Sequence, residues 1–352
     1  MDLKEHLNNT LHANALSCRP SWTPSVLLTC RDLAHSASGR ASIDGGATKT
    51  ACAAVLLSTQ QYLHQASAGP SNWSSVGKEE ALQTLKHAVS TTLTGCGKSW
   101  EAVAAICLGM AGVDSREAQA AFTAAIKDWF PPNTLILVYN DAVPALLSGT
   151  EGRLEGCVLI AGTGSIAFAT LPDGLSARAA GCGPAFLDGG CGYDLGQKGL
   201  SAAAKGSDGR GPPTQLLSYL CKRCDGVTCL PDLVRWVYAE AGWARIAALA
   251  PAVVACAQDG DQVAHRILQE GISDLVTAVQ AVVKQLNMLQ PFQLVLAGGL
   301  MKPGYAYTDI CQRALKQALP QANVVLPQVE AAIGAAMFAC KTYIGAAAGQ
   351  CV

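Results

Sequence analysis

The motif Ser42-Ile-Asp-Gly-Gly-Ala-Thr-Lys-Thr50 places an acid, two adjacent glycines and hydroxyl groups between two strand-like runs. Glycine has no Cβ atom, so backbone amides in such a turn can approach phosphate oxygens closely. The acid can hold a water of a magnesium shell, and threonine or lysine can contact phosphate. Taken alone, Asp-Gly-Gly is more often an ordinary hairpin. The candidates for phosphate and magnesium binding here are Asp44 (magnesium, through water), Gly45, Gly46, Thr48 and Lys49.

Two further glycine-rich turns follow apolar runs. Ala161-Gly-Thr-Gly-Ser165 repeats the first arrangement, and the amides of Gly162, Thr163 and Gly164 suit the β- and γ-phosphates of a nucleotide. Leu294-Val-Leu-Ala-Gly-Gly-Leu300 ends a strand with Gly298 and Gly299, where a flat ring can lie against bare backbone. Each motif alone indicates a turn, whereas three in this order indicate a nucleotide site.

Asp141 is the candidate for a general base. It follows an apolar strand and the turn residue Asn140, and it opens a predicted helix over 142–147. Phosphoryl transfer to a hydroxyl group needs a carboxylate that orients the hydroxyl and accepts its proton. An Asp in this position is as often a helix N-cap. The residues alone leave both roles open.

The runs around these motifs predict an α/β fold. In the first part, strands are predicted at 51–57, 103–108 and 135–138, and helices at 79–93 and 116–128. The pattern restarts with strands at 157–160, 166–169 and 177–180, a helix at 262–289 capped by Asp261, a strand at 293–297 and a helix at 330–343. Two successive halves of this kind indicate an internally duplicated architecture.

Charge and length exclude several classes of protein. The 352 residues carry 25 Lys and Arg against 26 Asp and Glu, which argues against a nucleic-acid or acidic-membrane surface. No stretch has the ~20 consecutive apolar residues that a membrane-spanning helix needs. At about 150 residues per domain, the length indicates roughly two domains.

Fifteen cysteines are scattered along the chain, most of them singly in apolar or glycine-rich runs. This usage favours buried thiols in a reducing, cytoplasmic compartment over a disulfide framework. Cys221, Cys224 and Cys229 form one cluster that has enough ligands for zinc. A second matching pair is missing, so surface-loop thiols are the favoured interpretation.

The motifs resemble those of the actin-like ATPase and sugar kinase superfamily and, within it, the N-acetylglucosamine kinase branch of the BadF/BadG/BcrA/BcrD-type ATPase family. The resemblance covers residues 43–339 and includes Gly69-Pro-Ser-Asn-Trp73, Gly109-Met-Ala-Gly112, Asn140-Asp-Ala142, Gly181-Cys-Gly-Pro184 and Gly192-Tyr-Asp-Leu-Gly196. It implies a duplicated ribonuclease-H-like fold with lobes at 41–142 and 143–329. Residues 1–40 would be a poorly ordered extension, and a helix at 330–345 would pack back on the first lobe.

The resemblance also implies an activity and its residues. The expected reaction moves the γ-phosphoryl group of ATP, with Mg²⁺, to the 6-hydroxyl of N-acetylglucosamine, with Asp141 as the base. The expected sugar contacts are Ser71, Asn72, Asp141, Cys182, Gly183 and Asp188. The family further suggests a homodimer and gives no role to nucleic acid or membrane.

One run departs from the family pattern. The usual Gly-Asp-Glu-Gly-Ser-Gly reads Leu187-Asp-Gly-Gly-Cys-Gly192 here, and Cys182 stands where a bulky aromatic is common. These changes leave two alternatives open. The chain is a kinase for glucosamine or another hexosamine, or it is a non-catalytic sensor of sugar and nucleotide with the same fold.

Overall fold

The computed structural model describes residues 25–30, 41–45, 50–59, 61–183, 186, 188–240 and 242–347. The first six strands form one sheet, in the order β4-β3-β2-β1-β5-β6. They are β1 (Ser25–Cys30), β2 (Ala41–Gly45), β3 (Thr50–Leu56), β4 (Tyr62–Ala68), β5 (Val103–Met110) and β6 (Leu135–Tyr139). Strand β5 is apolar and buried along its whole length, as expected for a central strand covered on both faces.

The second sheet has five strands, in the order β11-β10-β7-β8-β9. They are β7 (Gly156–Ala161), β8 (Ser165–Thr170), β9 (Ser176–Ala180), β10 (Phe292–Ala297) and β11 (Ala322–Val325). Both sheets contain an antiparallel hairpin, β2–β3 and β7–β8, whose first strand also pairs in parallel with a later strand, β5 or β10. The duplication expected from the sequence is therefore present in the topology.

Strand β1 has no counterpart in the second sheet. It runs antiparallel to both β2 and β5 and lies between them, although β2 still pairs with β5 beyond its end, at Asp44 and Gly45. Its six residues belong to the stretch 1–40, for which the sequence predicts a poorly ordered extension, and the structure describes them as this strand. The run Ser-Val-Leu-Leu-Thr-Cys has the β-branched and apolar residues typical of strands. The remainder of 1–40 is outside the described residues.

Helices of the first half follow the predicted apolar spacing. They are α1 (Trp73–Val76), α2 (Lys78–Gly95), α3 (Arg116–Ile126) and α4 (Ala142–Leu147). Leu85, Val89 and Leu93 recur every four residues on α2 and are buried in the core below the first sheet. The helix predicted at 79–93 is confirmed, and the one predicted at 116–128 ends at Ile126, followed by one 3₁₀ turn.

The second half is richer in helix. Its helices are α5 (Gly192–Asp208), α6 (Leu216–Arg223), α7 (Leu230–Ala239), α8 (Trp243–Ala247), α9 (Ala250–Gln258), α10 (Gln262–Gln285) and α11 (Ala306–Ala318). The Asp261 carboxylate accepts hydrogen bonds from the amides of Val263 and Ala264, so the predicted cap of α10 is confirmed. The helix ends at Gln285 rather than at 289, because Asn287 has a left-handed backbone with φ of 50°.

The last helix, α12 (Ala331–Ala347), returns to the first sheet. Ala335 and Ala339 pack in one buried cluster with Val55, Ala105 and Val143. Helix α4 contributes to this cluster and also, through Ala145 and Leu146, to a cluster with Val158 and Val295 of the second sheet. Because α4 packs against both sheets, the expected lobe boundary between 142 and 143 stays a prediction.

Cys96, Cys107, Cys157, Cys191, Cys256 and Cys311 are among the cysteines with free thiols. Cys52, Cys107 and Cys157 are fully buried in strands, as expected from their apolar surroundings. Cys221 and Cys224 are also buried in the core of the second half, so the interpretation of them as surface-loop thiols was wrong; Cys229 is exposed. Across the described ranges, no group of three or more His, Cys, Asp or Glu is placed to hold a metal ion. Nor does this part of the chain contain a helix with the length and apolar character to cross a membrane.

Candidate active site

Three strands of the first sheet end at one edge. The parallel register sets Asp44 of β2 beside Gly109 of β5, and Gly109 beside Tyr139 of β6. Strands are spaced about 4.8 Å apart, so the end of β2 lies about 10 Å from Asn140 and Asp141, which follow β6. The predicted phosphate residues Gly46, Thr48 and Lys49 are outside the described residues, as is the side chain of Asp44.

Asp141 does not use its side chain as a helix cap. Helix α4 begins at Ala142, and no capping hydrogen bond is formed by the Asp141 carboxyl group. Asn140 fills this role instead, because its Oδ1 accepts a hydrogen bond from the Ala142 amide at 2.8 Å. Of the two roles that the sequence left open, the structure therefore disfavours the cap.

The surroundings of Asp141 make it a stronger base than an ordinary Asp. Burial is the largest cause and the Asp114 carboxylate acts in the same direction, so the pKa of Asp141 is raised to about 6. The amides of Asp141 and Ala142 and the Arg178 guanidinium partly offset this rise in pKa. A carboxylate with this pKa is ionised at neutral pH and holds a proton more strongly than one near 4.

The raised pKa predicts a stability cost above pH 6. The folded protein binds the Asp141 proton more tightly than the unfolded chain, so stability falls as pH rises from about 4 to about 6 and the full cost is present above that. We expect Asp141→Asn to be more stable than the wild type at pH 8, by about 1–3 kcal/mol, and equal to it below pH 4. Urea unfolding from pH 4 to pH 8 measures this difference. A gain that is independent of pH would contradict the assignment.

The predicted phosphate hairpin of the second sheet rests on the start of α5. The Gly162 carbonyl accepts a hydrogen bond from the Gly192 amide at 2.7 Å, and the Thr163 carbonyl accepts one from Tyr193 at 3.2 Å. A Cβ atom on Gly192 would lie 2.9 Å from the Gly162 carbonyl oxygen, so this close support requires glycine. With both carbonyls directed at α5, the hairpin has a fixed backbone.

The predicted adenosine turn lies directly beside this hairpin. The Leu300 amide donates to the Ala161 carbonyl at 3.0 Å, and Gly298 has a φ of +112°. A Cβ atom built on Gly162 would be 3.8 Å from the Gly299 nitrogen. Gly162 to Gly164 and the Gly298-Gly299 pair, which are more than 130 residues apart in sequence, are therefore brought together by the parallel pairing of β7 with β10.

Asp188 organises the loop that follows β9. It is buried, and its two carboxylate oxygens accept hydrogen bonds from the amides of Cys182 at 3.1 Å and Gly183 at 2.7 Å. A Cβ atom on Gly164 would lie 3.8 Å from Asp188 Oδ2. Three expected sugar contacts, Asp188, Cys182 and Gly183, are thus adjacent to the predicted phosphate hairpin.

The run that departs from the family pattern is accommodated by its neighbours. A Cβ atom on Gly189 would lie 2.4 Å from Asp274 Oδ2, so the Asp274 side chain of α10 occupies the space that a residue larger than glycine would need. Cys191 caps α5, and its Sγ accepts a hydrogen bond from the Asp194 amide at 3.4 Å. At both positions where the sequence departs from the family pattern, Gly189 and Cys191, the turn therefore has contacts that support it.

Asp194 and Lys198 were not identified from the sequence. Asp194 is buried, and its Oδ2 accepts hydrogen bonds from the Gly190 amide and from Lys198 Nζ, both at 3.0 Å. The Tyr307 hydroxyl donates to the Gly190 carbonyl at 2.9 Å. The available signal was the spacing of four between Asp194 and Lys198, which on a helix such as α5 favours an ion pair.

The loop that carries Ser71 and Asn72 is anchored on both sides. Ser71 is fully buried; the Thr50 hydroxyl pairs with its hydroxyl at 2.9 Å and donates to the Gly69 carbonyl at 2.6 Å. The Asn72 carbonyl accepts the first hydrogen bond of α1, and the Trp73 ring stacks 4.4 Å from that of Phe122. Ser71 therefore supports the loop from inside, which favours positioning over direct sugar contact.

An ion pair links the two halves of the site. Arg178 of β9 contacts Asp114, which follows β5, with Nη1 and Oδ2 2.6 Å apart. Neither residue could be identified from the sequence, because nothing in their local pattern shows that distant strands bring them together.

Comparisons with known proteins cover most of the chain. A model of the BadF/BadG/BcrA/BcrD ATPase family matches residues 42–339. The chain is 32% identical over 308 residues to the N-acetyl-D-glucosamine kinase of Dictyostelium discoideum, covering 84% of this chain and 96% of that one. It is 34% identical over 306 residues to the N-acetylmuramic acid/N-acetylglucosamine kinase of Clostridium acetobutylicum, with the same coverage, 84% and 96%.

Solved structures also align with most of the chain. The crystal structure of the putative N-acetylglucosamine kinase from Chromobacterium violaceum aligns with a TM-score of 0.67 and 26% identity, over 85% of this chain and 97% of that chain. A similar structure from Porphyromonas gingivalis aligns with a TM-score of 0.60 at 18% identity, over 83% and 96% of the two chains, and supports the fold alone.

Proposed function

Because the chain belongs to the BadF/BadG/BcrA/BcrD ATPase family, we propose that it transfers the γ-phosphoryl group of ATP to the 6-hydroxyl group of N-acetyl-D-glucosamine. The observation that carries this proposal is the position of Asp141. Its carboxyl group has a pKa of about 6, makes no capping hydrogen bond, and follows β6 of the first sheet, close enough to Arg178 of the second for the two charges to interact.

Asp141 orients the sugar hydroxyl and accepts its proton as the bond to phosphorus forms. Each oxygen of Asp188 already accepts one amide hydrogen bond, and its remaining lone pairs accept from sugar hydroxyls. Asn72 and the backbone of Cys182 and Gly183 complete the sugar contacts. Ser71 holds the loop that presents Asn72.

The nucleotide lies along the glycine-rich turns. The amides of Thr163 and Gly164 bind phosphate, together with Gly45, Gly46, Thr48 and Lys49 of the first hairpin, and Gly298 and Gly299 border the adenosine. The Gly162 amide donates to the Gly164 carbonyl at 2.9 Å and so shapes the turn that presents the other two. Asp44 offers the carboxylate oxygen that Mg²⁺ prefers and would hold it through water. The ion, when bound, neutralises charge on the transferred phosphoryl group.

We also propose a cytoplasmic location and a homodimer. The free thiols of Cys107, Cys157 and Cys256 support a reducing compartment. The dimer follows from the family resemblance, and light scattering on the purified chain tests it directly.

A second candidate is a kinase for another hexosamine. The exposure of Cys182, where the family often has an aromatic, favours it, because a smaller side chain beside Asp188 leaves a wider pocket. A coupled assay of ADP release with MgATP across N-acetylglucosamine, glucosamine, N-acetylmannosamine and N-acetylmuramic acid distinguishes the two. We expect the highest kcat/KM for N-acetylglucosamine. A clear preference for the free amine overturns the acetyl assignment, and binding of both ligands without sugar phosphate formation indicates a sensor.

A further inference from the structure

Asp114 and Arg178 are not among the residues to which the proposed reaction gives a role. Asp114 follows β5 of the first sheet, and Arg178 lies on β9, the edge strand of the second sheet. Their side chains are 39% and 35% exposed. An ion pair with this exposure contributes little to stability. Its main effect is therefore on the relative position of the two segments that carry Asp114 and Arg178.

Asp114 also contacts the segment that carries the base. Its Oδ1 accepts a hydrogen bond from Asn140 Nδ2 at 2.5 Å, while the Asn140 Oδ1 accepts from the Ala142 amide. Asn140 is therefore fixed at both ends of its amide group. Asp141 lies between Asn140 and Ala142 in the chain, so its backbone position is set by these two hydrogen bonds.

Arg178 contacts the loop of the other half. Its Nη2 donates to the Gly181 carbonyl at 3.3 Å, and the two residues that follow, Cys182 and Gly183, donate their amides to Asp188. One guanidinium group thus joins Asp114 to the loop that Asp188 organises. The contacts run without a break from the proposed base to the proposed sugar-binding acid.

We propose that Asp114 and Arg178 are a positioning pair, which holds Asp141 in register with the Gly181–Gly183 loop when the two halves of the site come together. The inference rests on the proposed phosphoryl transfer. One partner belongs to each sheet, so the pair forms only when the halves are this close. Water competes with a sugar as phosphoryl acceptor, and a base that is aligned only in the closed site limits that loss.

The two residues act on the Asp141 carboxyl group in opposite directions. Among the side chains that the structure describes, Asp114 raises its pKa and Arg178 lowers it. Arg178→Gln leaves the Asp114 charge uncompensated, so the Asp141 pKa rises. Asp114→Asn leaves the Arg178 charge, so the pKa falls. A pair too distant from Asp141 to act on its carboxyl group would not move these values apart.

The test compares Arg178→Gln, Asp114→Asn and Arg178→Lys with the wild type in the coupled kinase assay from pH 5 to pH 9. We expect kcat to fall about 10- to 100-fold in the first two variants. The acid limb of the kcat/KM profile moves to higher pH in Arg178→Gln and to lower pH in Asp114→Asn, by about half a unit to one unit. Arg178→Lys keeps the positive charge and loses the hydrogen bond to the Gly181 carbonyl. We therefore expect this variant to have the acid limb of the wild type and to recover only part of the wild-type kcat.

A matched control uses the exposed ion pair of Arg153 and Glu155, whose charged atoms are 3.6 Å apart. We expect Arg153→Gln to retain wild-type kcat and the wild-type limb. If the acid limbs of Arg178→Gln and Asp114→Asn move in the same direction, the positioning role is overturned. An unchanged kcat in these two variants overturns it as well.

A second readout does not need activity. The pH dependence of the stability gained on Asp141→Asn reports the Asp141 pKa in the wild-type, Arg178→Gln and Asp114→Asn backgrounds. We expect its midpoint to move up in the first variant and down in the second. If these shifts occur and no hexosamine is phosphorylated, the pair stands and the proposed function fails. If sugar phosphate forms and the shifts are absent, the pair fails alone.

Discussion

Replacing Asp141 by Asn should lower kcat for sugar phosphorylation by about 10²–10⁴-fold and leave ATP binding unchanged. The amide has nearly the shape of the carboxyl group and cannot accept the hydroxyl proton. The nucleotide contacts proposed for the glycine-rich turns do not include this side chain. Rates from the coupled ADP assay and ATP affinity from calorimetry measure the two effects separately.

Asp128→Asn is the control for this substitution. Asp128 is an exposed acid in the 3₁₀ turn that precedes β6, whereas Asp141 follows the other end of that strand, and we expect wild-type rates. A variant at Asp141 that keeps a tenth or more of the wild-type kcat would show that another group accepts the proton. A loss of ATP affinity equal to the loss of kcat would show that Asp141 acts mainly on the fold of the cleft.

The parts of the fold that local pattern determines could be predicted from the sequence. The spacing of Leu85, Val89 and Leu93 gave α2, and Asp261 gave the start of α10. Strands β4 and β11 were missed, because β4 is half-exposed and polar and β11 has four residues. Strand β1 was missed although its run is apolar, because its partner β5 is distant in sequence and long-range pairing leaves no local periodicity.

The candidate site divides in the same way. A turn glycine such as Gly298 could be found because tight backbone approach demands a residue type, and Asp141 because it follows a strand. Asp114 and Arg178 could not, because their relation depends on how two sheets face each other. The role of Asn140 as the cap in place of Asp141 could not be predicted either. Both residues have capping side chains, and a sequence pattern does not distinguish between two adjacent candidates.

Replacing Gly298 by Ala should destabilise the protein by about 2–6 kcal/mol, whereas the same change at Gly299 should cost less than about 0.5 kcal/mol. Gly298 has a φ of +112°, and a Cβ atom there would lie 2.2 Å from the Ala161 carbonyl oxygen. The obstructing atom is backbone and accepts the Leu300 amide, so it cannot move without opening the end of the β7–β10 pair. Gly299 has no atom within 4 Å of its Cβ position.

The two adjacent glycines therefore separate a structural effect from a binding effect. If the adenosine lies over this turn, the Cβ atom of Gly299→Ala projects into its space, and we expect a higher KM for ATP with an unchanged melting temperature. Thermal unfolding and ATP titration of both variants check this pair of outcomes. Equal destabilisation by the two substitutions would contradict the geometry of the turn. An unchanged ATP affinity in Gly299→Ala would place the adenosine elsewhere, because the added Cβ atom occupies the open space in which the ring is proposed to lie.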